Sequence, residues 1–76
     1  MKIELSLIIE GEKERIRLIW KNGESEILEG KIGNAEIPDD IINSKSFEAA
    51  TKLYGFANRH FPDKNYSIIL NMDRYQ

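Results

Sequence analysis

His60 is the only imidazole in a 76-residue chain that contains no cysteine. That combination excludes paired-histidine and thiolate zinc sites and leaves one side chain suited to proton transfer near neutral pH. A hydrolytic role would need an activated nucleophile beside it, and the sequence identifies none. His60 falls near the expected end of a helix, where a cationic side chain complements the helix dipole, and this structural role is the reading adopted. Glu36, Asp39 and Asp40 could hold a hard cation such as calcium, but their spacing lacks the D-x-D-x-D-G loop pattern. They read as solvated loop acids and helix-start charges. Gly30, Gly33 and Asn34 make neither of the phosphate-cradling patterns G-x-x-x-x-G-K-[ST] and G-x-G-x-x-G, and their neighbours are acidic, so turn geometry accounts for them.

Two constellations concern binding. Arg15, Arg17 and Lys21 alternate along one strand face, which is one way to hold nucleic acid. Trp20 points to the opposite face by parity, and Glu4, Glu10 and Glu26 are placed to neutralise the stripe. The second constellation is Ile8, Ile19 and Ile69, apolar residues whose parity turns them away from the expected core, with Leu28 as a possible fourth. On adjacent strands they would form a row across an open sheet face. Isolated surface isoleucines are common and β-branched residues suit strands, so the row is suggestive rather than diagnostic.

The elements that must position these residues follow from periodicity. Ile3, Leu5, Leu7 and Ile9 alternate along a first strand, about Lys2 to Glu10, and Ile16, Leu18 and Trp20 along a second, about Glu14 to Lys21. Gly11-Glu12-Lys13 reads as a tight connection. A two-residue loop there pairs Leu7 with Leu18 and Glu4 with Lys21, and a slip of two pairs Ile8 with Ile19; both keep the same core face. Asn22-Gly23 suits a type I′ turn and sets Lys21 opposite Glu24 and Leu18 opposite Ile27. The third strand, Glu24 to Glu29, is short and rich in glutamate, as edge strands commonly are. Pro38, Asp39 and Asp40 suit a turn of helix. Ser44 or Ser46 then caps a main helix in which Phe47, Ala50, Tyr54, Ala57 and Phe61 form the apolar stripe, Leu53 lying at its margin. Gly55 costs that helix about 1 kcal/mol relative to alanine, and close helix–sheet packing is the expected reason. Pro62-Asp63 ends the helix, Tyr66 to Met72 form a last strand, and residues from about 73 to 76 read as a loose tail.

The expected fold is therefore α+β: one domain over residues 1–76, in the order βββαβ. Its four-stranded mixed sheet has spatial order 3-2-1-4, with one helix on one face and the last strand parallel to the first. Composition (41% hydrophobic, 32% charged) argues against disorder. The net charge of −2 is uneven, because between residues 24 and 40 six acids face only Lys31. No run approaches the roughly 18 apolar residues of a membrane span. The N-terminus does not read as a signal peptide, so a cytoplasmic location is expected and the Asn65-Tyr66-Ser67 glycosylation pattern is taken as coincidence.

The functional expectation is a small non-catalytic protein–protein interaction or regulatory domain, without cofactor or metal, that binds another protein or, as a homodimer, itself. Its contact residues are Ile8, Arg17, Ile19 and Ile69 on the open sheet face, with Glu24, Glu26 and Glu29 attracting a basic partner. Phe56 is a further candidate contact, and an edge strand could add to a partner's sheet. A nucleic-acid-binding module using the basic residues of the second strand ranks second, and a small oligomeric enzyme with an interface site third. A cellular adaptor and a mobile-element or viral inhibitor are equally compatible with these residues.

Overall fold

A computed structural model describes residues 1–73 as a small α+β domain with an antiparallel five-stranded sheet and one main helix. The elements are β1 (Lys2–Ile9), β2 (Arg15–Lys21), β3 (Glu24–Ile32), β4 (Ala35–Glu36), α1 (Asp39–Ile42), α2 (Ser46–His60) and β5 (Tyr66–Asp73). Their order across the sheet is β4-β3-β2-β1-β5. The tail expected from about residue 73 begins with Asp73, which instead ends β5; residues 74–76 lie outside the described ones.

The alternation in β1 and β2 does what period-two patterning requires. Leu5, Leu7 and Ile9 are buried on one face, and Ile16, Leu18 and Trp20 lie beside them. Burial of each such side chain contributes roughly 2 kcal/mol. Asn22 (φ 53°) and Gly23 (φ 84°) both occupy the left-handed region, as a type I′ turn demands, and Lys21 faces Glu24 while Leu18 faces Ile27. Neither expected register of the first hairpin is present. Leu5 pairs with Leu18 and Leu7 with Ile16, because the connection runs over residues 10–14 rather than two. That longer loop is anchored elsewhere: the Glu10 amide donates to the Asn65 carbonyl (2.8 Å), and Lys64 pairs with Glu12 (2.7 Å). The core face survives the change, as expected of a shift by an even number of residues.

β3 is longer than its glutamate-rich start suggests. Leu18 faces Ile27 and Arg17 faces Glu29, so Leu28 is an extra residue in a bulge. The bulge resets the parity and lets Gly30 and Ile32 follow Ile27 onto the core side. The chain then reverses into β4, whose two residues pair with Lys31 and Ile32.

The sheet is antiparallel throughout, not mixed, and the cause is residues 35–45. The expected parallel last strand assumed that α2 itself carries the chain back along the sheet. The segment through β4 and α1 makes that return first. Ile37 donates its amide to the Gly30 carbonyl (2.9 Å), the Ser25 hydroxyl donates to the Ile42 carbonyl (2.7 Å), and Trp20 Nε1 donates to the Ser44 carbonyl (3.0 Å). These contacts bring the chain to the Trp20 end of the sheet before α2 starts. The helix then climbs toward the Ile9 end, and β5 descends antiparallel to β1, pairing Ile9 with Tyr66 and Leu5 with Leu70.

α2 presents a different face from the expected one. Ser46, Ala49, Leu53, Phe56 and Ala57 are buried, whereas Phe47 is 60% and Tyr54 49% exposed. Neither Ser44 nor Ser46 is the N-cap. Lys45 holds that position and its amide donates to Glu48 (3.3 Å), while the Ser44 hydroxyl donates to the Asp40 carbonyl (2.6 Å). Nor does close packing explain Gly55, which is exposed, and a Cβ there would meet nothing within 4 Å. Gly55→Ala is therefore expected to stabilise the domain by about 0.5–1 kcal/mol through helix propensity alone. A rise in the urea midpoint at unchanged slope checks it; a fall would mean that the glycine answers a contact the isolated domain lacks.

Candidate recognition surface

The open sheet face is polar at its centre. Arg17 donates through Nε and Nη2 to Glu4 (3.0 and 2.9 Å) and through Nη1 to Glu29 (3.1 Å), while Arg15 approaches Glu29 at 3.7 Å. Glu29, then Glu4, raise the Arg17 pKa above its ordinary value by hydrogen bonding, so the guanidinium stays charged. Both arginines of the basic stripe are thus engaged by carboxylates of the same chain. Glu24 and Glu26, the residues expected to draw a basic partner, are exposed on β3 beside Lys21 and Ile19 respectively.

The expected isoleucine row is not formed. Ile19 stands level with Glu4 and Glu26, Ile69 level with Ser6 and Arg17, and Ile8 level with Arg15 and Ser67. The register that replaced the expected ones staggers the three residues. Ile19 is only 6% exposed and packed into the sheet, where it borders a shallow concavity of about 390 Å³ with Lys21, Glu24 and Glu26; Ile8 is half-buried, and Ile69 is 41% exposed. Phe56, the further candidate, is 2% exposed and belongs to the core. Of the expected apolar contacts, Ile69 and Leu28 stand well into solvent, each 41% exposed, toward opposite edges of the sheet.

Ile69 belongs to a larger surface that the sequence reading missed. β5 is the last strand of the sheet on its side. Its residues Tyr66, Ile68, Leu70 and Met72 face α2, and from Tyr66 to Met72 it carries no charged side chain. Beside it, α2 turns Phe47 and Tyr54 outward. The Tyr54 and Tyr66 rings meet edge to face at 5.9 Å, and the Tyr66 hydroxyl donates to Asn58 Oδ1 at 3.2 Å, which ties this end of α2 to β5. Phe47 lies two turns back, about 10 Å along the helix axis, which corresponds to three strand residues and sets it near the level of Leu70. Ala50, Ile68 and Leu70 are partly buried against the core on this side, and Met72 is 40% exposed.

The other sheet edge is protected. β4 and the Ile37 amide cap one end of β3, the Leu28 bulge interrupts it, and Glu24, Glu26 and Glu29 line the remainder. Bulges, charges and covering segments are the devices that keep sheet edges from pairing. Among the described residues, β5 shows none of them between Tyr66 and Met72.

The remaining concavities are open dents. One of about 310 Å³ is lined by Met1, Ile3, Trp20, Asn22, Gly23, Lys45 and Ser46. His60 ends α2 as expected, its ring 4.6 Å from that of Phe56, and borders another dent with Glu12, Ile32, Gly33, Asn34, Ala35 and Phe61. Asp39 and Asp40 stand in the first turn of α1. Among the described residues no group of three or more His, Cys, Asp or Glu is placed to hold a metal ion, and no helix is long and apolar enough to cross a membrane. No family model, curated protein or solved structure matches the chain, so its function must be argued from this geometry.

Proposed function

We propose that this chain is a non-catalytic protein–protein recognition domain whose contact surface is the β5 edge together with the apolar flank of α2. The observation that carries the reading is the contrast between the two sheet edges. β3 is capped, bulged and charged, while β5 offers a row of backbone donors and acceptors with no charge from Tyr66 to Met72. Strand addition uses those backbone groups for affinity and the alternating side-chain positions for selectivity. Exposed Phe47 and Tyr54 and half-buried Ile68 and Leu70 supply the apolar part. The expected recognition role is thereby kept, and its surface moves from the middle of the open face to one edge.

The test is a pull-down of tagged protein from nuclease-treated extract of its own cells, comparing wild type with two variants. Ile69→Lys puts a charge on the β5 edge, and Arg15→Ala alters an exposed residue away from it. Ile19→Arg is unsuitable, because it would bury a charge and report on folding. A stoichiometric partner retained by Arg15→Ala and lost by Ile69→Lys supports the reading. A partner held equally by wild type and Ile69→Lys would remove β5 as the surface.

A further inference from the structure

We infer that the occupant of the β5 edge is a second copy of this chain, joined through a two-fold antiparallel β5–β5 pairing that makes one continuous ten-stranded sheet. The inference rests on the recognition reading above and adds the identity of the partner. Three features support it.

The first is self-complementarity. A two-fold axis at Ile69 sets Tyr66 opposite Met72 of the second copy, Ile68 opposite Leu70, and Ser67 opposite Asn71. Every pair joins residues of the same parity, so the faces toward α2 coincide and the pairing spans the whole uncharged stretch. The second is the position of the helix. α2 packs against both β1 and β5, so its axis lies between these two strands near the sheet edge. With strands about 4.8 Å apart, the helices of two copies come to lie about 10 Å from each other, a distance at which helices pack directly. Phe47 of each copy, near the level of its own Leu70, then faces Ile68 of the other copy, between that copy's Phe47 and Tyr54. At 60% and 49% exposure, Phe47 and Tyr54 each offer about 100 Å² of ring surface. Four such rings supply about 400 Å², a large part of the ~1,000 Å² lower bound for a specific interface, and Ile69 and Met72, each about two-fifths exposed, add to it.

The third feature is charge. The acidic segment from Glu24 to Asp40 lies on β3, β4 and α1, at the opposite edge of the sheet from β5. Pairing through β5 keeps the two acidic edges as far apart as the sheet allows. A basic hetero-partner would find nothing to attract it between Tyr66 and Met72.

Sedimentation equilibrium from about 5 to 500 µM tests the inference, the upper end reaching the range of weak associations. Wild type is expected to approach twice the monomer mass of 8.8 kDa. Ile69→Lys and Phe47→Glu are each expected to raise the dissociation constant at least about tenfold while keeping the circular dichroism of the fold. Phe47 is exposed in the first helical turn, where an acid suits the dipole, so its variant should fold even if the strand variant does not. A monomer at every concentration overturns the dimer. If Ile69→Lys still abolishes capture of a different protein, the recognition reading stands without it; if capture is unaffected as well, both fall. A dimer that persists in both variants overturns the β5 pairing.

Discussion

Phe56→Ala is expected to cost about 3–5 kcal/mol, whereas Phe47→Ala, nine residues earlier on the same helix, should cost less than about 1 kcal/mol. Phe56 is 2% exposed among Leu53, Ala57 and the sheet, and its removal leaves a cavity that a fifteen-residue helix anchored on two strands cannot close. Within one chain Phe47, 60% exposed, loses mainly a contact with solvent, so the two variants are compared at protein concentrations below the proposed dimerisation. For a domain of this size the larger figure is a substantial share of total stability. Urea denaturation of the two variants decides it. Equal losses, or a larger loss at Phe47, would restore the helix face expected from the stripe of Phe47, Ala50, Tyr54, Ala57 and Phe61.

That contrast also shows why the sheet was readable and the helix face was not. Alternation in β1 and β2 leaves two choices of face, and the unbroken run of apolar residues on one side (Ile3, Leu5, Leu7 and Ile9; Ile16, Leu18 and Trp20) decides between them. α2 carries two stripes at helical spacing, one through Phe47, Ala50 and Tyr54, the other through Ala49, Leu53 and Phe56, and each holds aromatic residues. One signal favoured the second stripe: Leu53 and Phe56 are wholly hydrocarbon, while Tyr54 carries a hydroxyl and is flanked along its face by Thr51 and Asn58. The β5 surface was hidden for the same reason, since Phe47 and Tyr54 were placed in the core. The direction of β5 was lost to residues 35–45, whose return path depends on the hydrogen bonds of Ile37, Ser25 and Trp20 and on no periodicity. The Asn22-Gly23 turn was legible because positive φ at two successive residues leaves few alternatives.

The second large effect is expected at Gly30. A Cβ there would lie 2.9 Å from Ile27 Cγ2 and 3.2 Å from Ile37 Cγ2, both belonging to β-branched side chains with little rotamer freedom. Ile37 is 8% exposed and its amide is bonded to the Gly30 carbonyl itself, so it cannot withdraw without releasing the segment that leads to α1. Ile27 is 44% exposed and has somewhat more room. Gly30→Ala is expected to cost about 1–2 kcal/mol and Gly30→Val about 3 kcal/mol, as overpacking of a closed contact. Thermal unfolding of the two variants should rank them in that order. A Gly30→Val variant as stable as wild type would show that the Ile37 segment yields, and that its docking on β3 contributes little.

The pairing of β1 with β5 has a consequence for how the chain reaches its fold. The hairpins β1–β2 and β2–β3 close over short loops, but the contact between Ile9 and Tyr66 closes a loop roughly ten times longer, which costs about 2 kcal/mol more in chain entropy. A three-stranded meander is thus expected to form early, with β5 joining late in a slow, topology-limited step. Until it arrives, β1, an interior strand of the finished sheet, is itself an edge. A kinetic trace should therefore show hairpin formation well before the Tyr54–Tyr66 contact, and concentrated protein caught in that interval is the species most prone to aggregate.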